Sequence, residues 1–317
     1  MPYPYNIENI NKRAKNDPVE FAYECEAIFN RKVAEVAATI EEQTAAANNR
    51  VILLSGPSGS GKTTTAKKIC EALEGRGIKA YSISLDKYYL PVDYETTPRT
   101  PDGEVDRESP FCLDLDLLNE HFELINQGKE VTVPHFSFRL QMRDPERAMS
   151  LKLGSDELVI FEGIHALNDL LTDEHPEAFK LYISARSDIV DNFGEVVFKR
   201  TWTRLLRRAV RDDFFRAMGA EETLKMWSNV REGEKKYISP FKYKADFLFD
   251  SSMEYEVPVM KHFALNIFNH LPVDIKRKEE LEALNPALME FEEIDASHVL
   301  HNSILREFIG GGTYNYD

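Results

Sequence analysis

The stretch from Gly56 to Thr64, GPSGSGKTT, constrains this chain more than any other. Ahead of it, Arg50 to Ser55 (RVILLS) is a short apolar run with β-branched residues, which reads as a buried strand. Gly56, Gly61, Lys62 and Thr63 then fall on the spacing G-x-x-x-x-G-K-[ST] of a P-loop. Thr64 to Leu73 has helical character, so strand, glycine loop and helix stand in the order such a loop requires. The chemistry accounts for the residue types. Across Gly56, Pro57, Ser58, Gly59, Ser60 and Gly61, glycines let successive N–H groups turn inward and cradle phosphate oxygens. The helix that follows points its positive dipole end at the same oxygens. Lys62 supplies a point charge to a nucleotide's β- and γ-phosphates, and the Thr63 hydroxyl is placed to hold Mg²⁺. These residues together with Thr64 are the expected nucleotide-phosphate site, with Mg²⁺ beside it.

Two further strand ends carry carboxylates. Lys79 to Leu85 (KAYSISL) predicts a second strand that ends at Asp86, and ligands of open α/β sheets bind at such ends. A carboxylate there can accept the proton of an attacking hydroxyl, or it can simply cap the next turn. Glu157 to Phe161 (ELVIF) predicts another buried strand, which leads into Glu162-Gly163-Ile164-His165. A carboxylate after an apolar strand is where P-loop proteins help organise Mg²⁺. Lys180 to Ser184 and Ala245 to Asp250 read as two more strands.

The remaining segments are less direct. Residues 91–112 are rich in Pro and acid without periodicity, which suggests a substrate loop. Glu130 to Arg139 alternates, and its Phe136 and Phe138 either sandwich a flat ligand or fill a sheet core. Residues 196–217 predict a helix on which Arg204, Arg208 and Arg211 share one face, with Arg207 beside it. The chain's net charge is −15, so a basic stripe stands out and suggests an anionic partner or a solvated helix face. The same charge argues against nucleic-acid and membrane partners. Three widely spaced cysteines suggest a reducing compartment. With no signal-like segment at the N-terminus, the expectation is a cytoplasmic protein. Residues 1–17 read as loosely held, and Pro18 to about Gln43 as a helix packed on the main domain. The acidic stretch from Glu290 and the following HNSILREFIGGG read as a surface layer or an oligomer contact.

Taken together, LLSGPSGSGKTT, SISLDKYY, VPHFSF, VIFEGIHALN, TRLLRRAVRD and KYKADFLFDSS resemble the uridine kinase and phosphoribulokinase superfamily over residues 50–270. The resemblance implies an α/β fold, a P-loop NTPase three-layer sandwich with a mainly parallel sheet, a helical lid, and extra N- and C-terminal helices. The expected division is 1–49 as an N-terminal helical extension, 50–271 as the kinase domain with its lid at about 199–219, and 272–317 as a C-terminal helical tail. The implied activity is ATP-dependent phosphorylation of a primary hydroxyl, such as the 5′-OH of a nucleoside. Carried over, Asp86 is the catalytic base, with Lys62, Arg208 and Arg211 serving the phosphoryl group. Tyr89, Phe136 and Phe138 lie around the acceptor, and Asp106 falls near the aspartate that holds ribose hydroxyls. Arg204 joins the lid arginines and is counted with the acceptor-binding residues, and Thr63 and Glu162 serve the metal. His165 is reminiscent of the phosphoribulokinase side. Phe136 stands where these kinases usually have Tyr, and the His that reads the pyrimidine is absent near Gln141. The alternatives are a sugar-phosphate kinase and a non-catalytic nucleotide-binding regulator. No N-K-x-D sequence supports a guanine switch. The partners implied are ATP and a small-molecule acceptor, and a homo-oligomer stays open.

Overall fold

The computed structural model describes residues 3–47, 49–93, 95–101, 103–216, 218–271 and 278–316. Five strands form the central sheet: β1 (Val51–Ser55), β2 (Ala80–Ser84), β3 (Leu158–Glu162), β4 (Phe179–Ser184) and β5 (Phe247–Asp250). Their order is β5-β4-β1-β3-β2, and every neighbouring pair is parallel. The β1 side chains alternate between two cores. Ile52 and Leu54 face one and Val51 and Leu53 the other, which is why the strand reads as one continuous apolar run. With helices covering the sheet, this is the three-layer P-loop α/β sandwich.

Two helices precede β1. Of the N-terminal residues expected to be loosely held, Ile7–Asn16 form α1, which is a correction. The Asn6 side chain accepts from Asn9 N–H at 2.9 Å and caps it, while Ile7, Ile10 and Ala14 are buried. Three small contacts in a polar segment leave too weak a periodicity to read. Then α2 (Pro18–Ala47) lays Phe21, Cys25, Phe29, Val33, Val36 and Ile40 into the first core, as its three- and four-residue spacing implies.

The P-loop helix α3 (Lys62–Glu74) and α4 (Leu115–Asn126) flank the sheet. The predicted arginine helix is shorter than its pattern suggested. Val196–Phe198 is a strand, and α5 runs from Arg200 to Phe215. Beyond it, α6 (Ala220–Gly233) passes directly into a π-turn at Glu234–Ile238. α7 (Glu256–Phe268), α8 (Lys278–Met289) and α9 (Arg306–Ile309) complete the helices used below. The junction between residues 271 and 272 expected at the start of the C-terminal tail lies partly outside the described residues.

The C-terminal residues are not a surface layer. Leu284, Leu288, Phe291, Ile294, Ile304, Leu305 and Phe308 share one core with α2, α3, α5 and α7. Acidic residues between these positions hide the apolar stripe when the segment is read along the chain.

Candidate active site

Strand register brings the first groups together. Leu54 of β1 lies beside Glu162 of β3, and Glu162 lies beside Ser84 of β2. The P-loop, Glu162 and the turn holding Asp86 therefore leave adjacent strands at the same end of the sheet. The loop itself tolerates little change. A Cβ on Gly56 would lie 2.1 Å from the Ile183 carbonyl oxygen, which is backbone and cannot yield. Gly61, with φ of 81°, turns the chain into α3 through the left-handed region.

Within this frame Lys62 Nζ donates to the Pro57 carbonyl at 3.3 Å, and Thr63 Oγ1 donates to Glu162 Oε1 at 3.0 Å. Burial pushes the Lys62 ammonium down, while Glu162, Asp86 and Glu307 pull it back up. Burial raises the Glu162 carboxyl to about 7, against the opposing pull of Lys62. A hydroxyl and a carboxylate in contact are two hard oxygen donors. They suit a Mg²⁺ that keeps water and phosphate as its other ligands. Asp86 is exposed on the turn Leu85–Tyr88, close enough for its charge to act on Lys62, Glu162 and Glu108.

Of the residues expected around the acceptor, Tyr89, Phe136 and Phe138 do meet. Their ring centroids lie 5.2–5.7 Å apart. Phe136 and Phe138 cross at 74°, however, so they pack edge-on and do not form a parallel-walled slot. Phe136 is buried, while Phe138 stays 47% exposed and offers a free face. Tyr89 OH donates to the Arg107 carbonyl at 3.0 Å. Asp106 Oδ2 accepts from Tyr237 OH at 3.4 Å, and its Oδ1 accepts from the Glu108 N–H.

Glu108, which sequence reasoning missed, stands within electrostatic reach of Arg208 and Lys62. Its Oε2 is buried without a hydrogen-bond partner. Burial raises its carboxyl to about 7, against the pull of Arg208 and Lys62 and with the help of Asp106 and Asp86. The acid-rich loop was visible in sequence, but which of its acids turns inward was not. Tyr237 was missed too, because it sits on the irregular π-turn.

His165 is buried, with both ring nitrogens lacking partners. Burial and nearby Lys62 lower its pKa to about 3, so the ring is neutral. Its ring lies 6.4 Å from that of Tyr237. A neutral, enclosed imidazole does not offer the charge that a phosphate-bearing acceptor would use.

The arginine face is divided by its partners. Arg208 donates to Ser58 Oγ at 2.8 Å and pairs with Asp212, which also pairs with Arg211. Arg204, expected near the acceptor, instead donates to Glu234 at 2.6 Å and lies over the Trp227 ring. Arg207 is fully buried. It bonds Glu256 at 2.7 Å and the Gly59 carbonyl at 3.3 Å, so it braces the P-loop from behind. All residues from Trp202 to Asp212 are buried, so the expected lid helix is packed into the body in this conformation.

A P-loop on a parallel sheet, with the carboxylates Glu162 and Asp86 at the ends of the next two strands, β3 and β2, defines a phosphate-handling α/β protein of the P-loop class. The chain belongs to the Phosphoribulokinase / Uridine kinase family, whose model matches residues 51–258. It is 28% identical over 261 residues to a uridine kinase of Saccharomyces cerevisiae, a match that covers 81% of this chain and 46% of that protein. A uridine kinase of Staphylococcus haemolyticus is 29% identical over 203 residues, covering 64% of this chain and 87% of the relative. A solved structure of a possible uridine kinase from Bacillus stearothermophilus overlaps 69% of this chain and 98% of its own, at 17% identity and a TM-score of 0.45. Among the described residues no helix is long and apolar enough to cross a membrane.

Proposed function

We propose that this chain is an ATP- and Mg²⁺-dependent kinase that phosphorylates a primary hydroxyl of a small molecule, the 5′-hydroxyl of a nucleoside. The observation that carries this reading is the convergence of Lys62, the Thr63–Glu162 pair and Asp86 at the ends of three adjacent parallel strands. Phosphoryl transfer needs positioning and charge neutralisation more than covalent help. In this reading Lys62, Arg208 and Arg211 neutralise the transferred group, and Asp86 takes the proton of the attacking hydroxyl. Thr63 and Glu162 would hold Mg²⁺, which neutralises charge on the phosphates when bound.

The nucleoside reading draws on the relatives named as uridine kinases and on the composition of the acceptor wall. Phe138, backed by the buried Tyr89 and Phe136, offers aromatic surface to a base, and Glu108, with Asp106 and Tyr237, offers polar groups to ribose hydroxyls. With Phe136 in place of a Tyr and no pyrimidine-reading His, the site has few groups to read a base edge. Selectivity among bases should then be loose, because an apolar pocket discriminates only about 10–200-fold. The test is kcat/KM for uridine, cytidine, adenosine and inosine, with a sugar phosphate and pantothenate as other alcohols. A spread under about 200-fold among nucleosides supports the reading. Turnover of the sugar phosphate alone would replace it, and no ATP consumption with any acceptor would remove the kinase reading.

A further inference from the structure

The first turn of α3 already holds an anion. Thr64 follows Lys62 and Thr63, and its N–H falls among the helix N-terminal donors that lack an intrahelical partner. This N–H donates to Glu307 Oε2 at 3.3 Å, and Thr64 Oγ1 donates to the same oxygen at 2.6 Å. Gly61, the N-cap, has no side chain to do this. Glu307 stands on α9, far along the chain, and is itself buried.

Three more contacts close the same spot. The Tyr316 hydroxyl lies 3.1 Å from Thr64 Oγ1, and Lys67 donates to the Asn315 carbonyl. Ile304 packs so tightly on Gly61 that a Cβ there would lie 2.1 Å from its Cδ1. Thr64 is fully buried beneath them. The Glu307 charge reaches the catalytic groups, raising both Lys62 and Glu162. The segment is anchored behind this contact by Phe308, over which the Arg207 guanidinium lies at 5.4 Å. Arg306 adds hydrogen bonds to the carbonyls of Val299, Ala296 and Gly310.

A helix N-terminus attracts anions through its free N–H groups and its dipole, and a P-loop uses both for phosphate. Here a carboxylate occupies that position, and a phosphate chain laid along the loop meets a like charge in a buried setting. We propose that Glu307 is an internal competitor that sets nucleotide affinity. It holds the Thr64 donors until a phosphate displaces it, and residues 303–316 move away from α3 when nucleotide binds. This rests on the reading of Gly56–Thr64 as a nucleotide-phosphate site. A binding-competent state that is only partly populated lowers apparent affinity in proportion. Removing the competing charge therefore raises affinity.

The experiment measures Mg·ATP binding to the full chain by titration calorimetry for the wild type, Glu307→Gln and Lys62→Ala, alongside hydrogen exchange of the wild type with and without Mg·ATP. The expected result is a Kd about tenfold lower for Glu307→Gln, which corresponds to about 1.4 kcal/mol. Amides of residues 303–313 should exchange faster when ATP is bound. The exchange arm uses unaltered protein, so it decides the matter even where Glu307→Gln folds poorly. Unchanged or weaker binding by folded Glu307→Gln, or slower exchange of 303–313 with ATP, overturns the proposal. If Lys62→Ala loses binding while Glu307→Gln gains none, the competitor is removed and the phosphate site stands. If neither the wild type nor Glu307→Gln binds ATP or inorganic tripolyphosphate, both fall.

Discussion

On the phosphate side, Gly56 to Thr64 leave a buried strand and enter a helix without a break, and each residue's place follows from its neighbours. On the proposed acceptor side, Asp86, Glu108, Phe136, His165 and Tyr237 come from five separate segments, of which Phe136 alone lies in a strand and the other four in turns. The two sides also differ in how tightly they are held. Arg207 and Glu256 brace the P-loop from a buried position, whereas Phe138 is nearly half exposed. A site that must bind phosphate in one geometry is built from local, over-determined backbone. The region we propose for the acceptor is hung mostly on loops and turns, which leaves it freer to adapt.

That contrast can be broken most severely at Arg207. Arg207→Met should leave Glu256 buried and unpaired, at a cost of about 3–5 kcal/mol of stability. Arg208→Met, by contrast, should melt near the wild type and lose turnover. Thermal melting and ATP turnover of the two variants decide it, and equal melting would show that Arg207 is not a brace.

Next in size is Lys62→Ala, expected to cut turnover by about 10²–10³-fold or more in a folded protein, as loss of a transition-state charge partner does. Steady-state ATP consumption measures it. Asp86→Asn should keep ATP affinity and lose at least about 100-fold in kcat. Parallel loss of affinity and rate would move Asp86 from the acceptor side to the metal.

The neutral His165 sharpens the comparison through pH. Its folded pKa of about 3 lies below the ordinary histidine value of 6.5, so the unfolded chain binds the extra proton between those two values. Its contribution to stability is therefore complete above about pH 6.5 and is lost as pH falls toward 3. His165→Phe should flatten that acid limb of melting temperature against pH. An unaltered slope would mean the ring is charged or solvated in the fold.

The smallest effect belongs to Phe138→Ala. With one face open and Phe136 behind it, its loss should raise KM for a nucleoside acceptor by about five- to tenfold, the low end of the roughly 1–3 kcal/mol that base stacking on an aromatic contributes. A change in kcat without a change in KM would place Phe138 outside the acceptor wall.

Much of this was legible because it is local. The apolar runs before Asp86 and Glu162, the P-loop spacing and the α2 stripe each depend on short-range periodicity, and periodicity survives in a single sequence. Other features were hidden for physical reasons. The edge-on packing of Phe136 and Phe138 depends on a hairpin angle, and the inward turn of Glu108 depends on the loop that carries Asp106. Arg204, Arg207 and Arg208 all touch the P-loop, yet Arg204 and Arg207 are also tied down by Glu234 and Glu256, whereas Arg208 meets the Ser58 hydroxyl.

By itself, then, the sequence determined a strand, a glycine loop and a helix, because backbone conformation there follows from glycine positions and side-chain alternation over a few residues. Tertiary structure decided what surrounds the phosphate site. Parallel register set Glu162 beside the P-loop, and the shared core of α3, α5 and residues 303–309 set Glu307 on Thr64. Those contacts join residues 99 and 243 positions apart, and only the burial of apolar surface common to all of them brings such groups within hydrogen-bond reach.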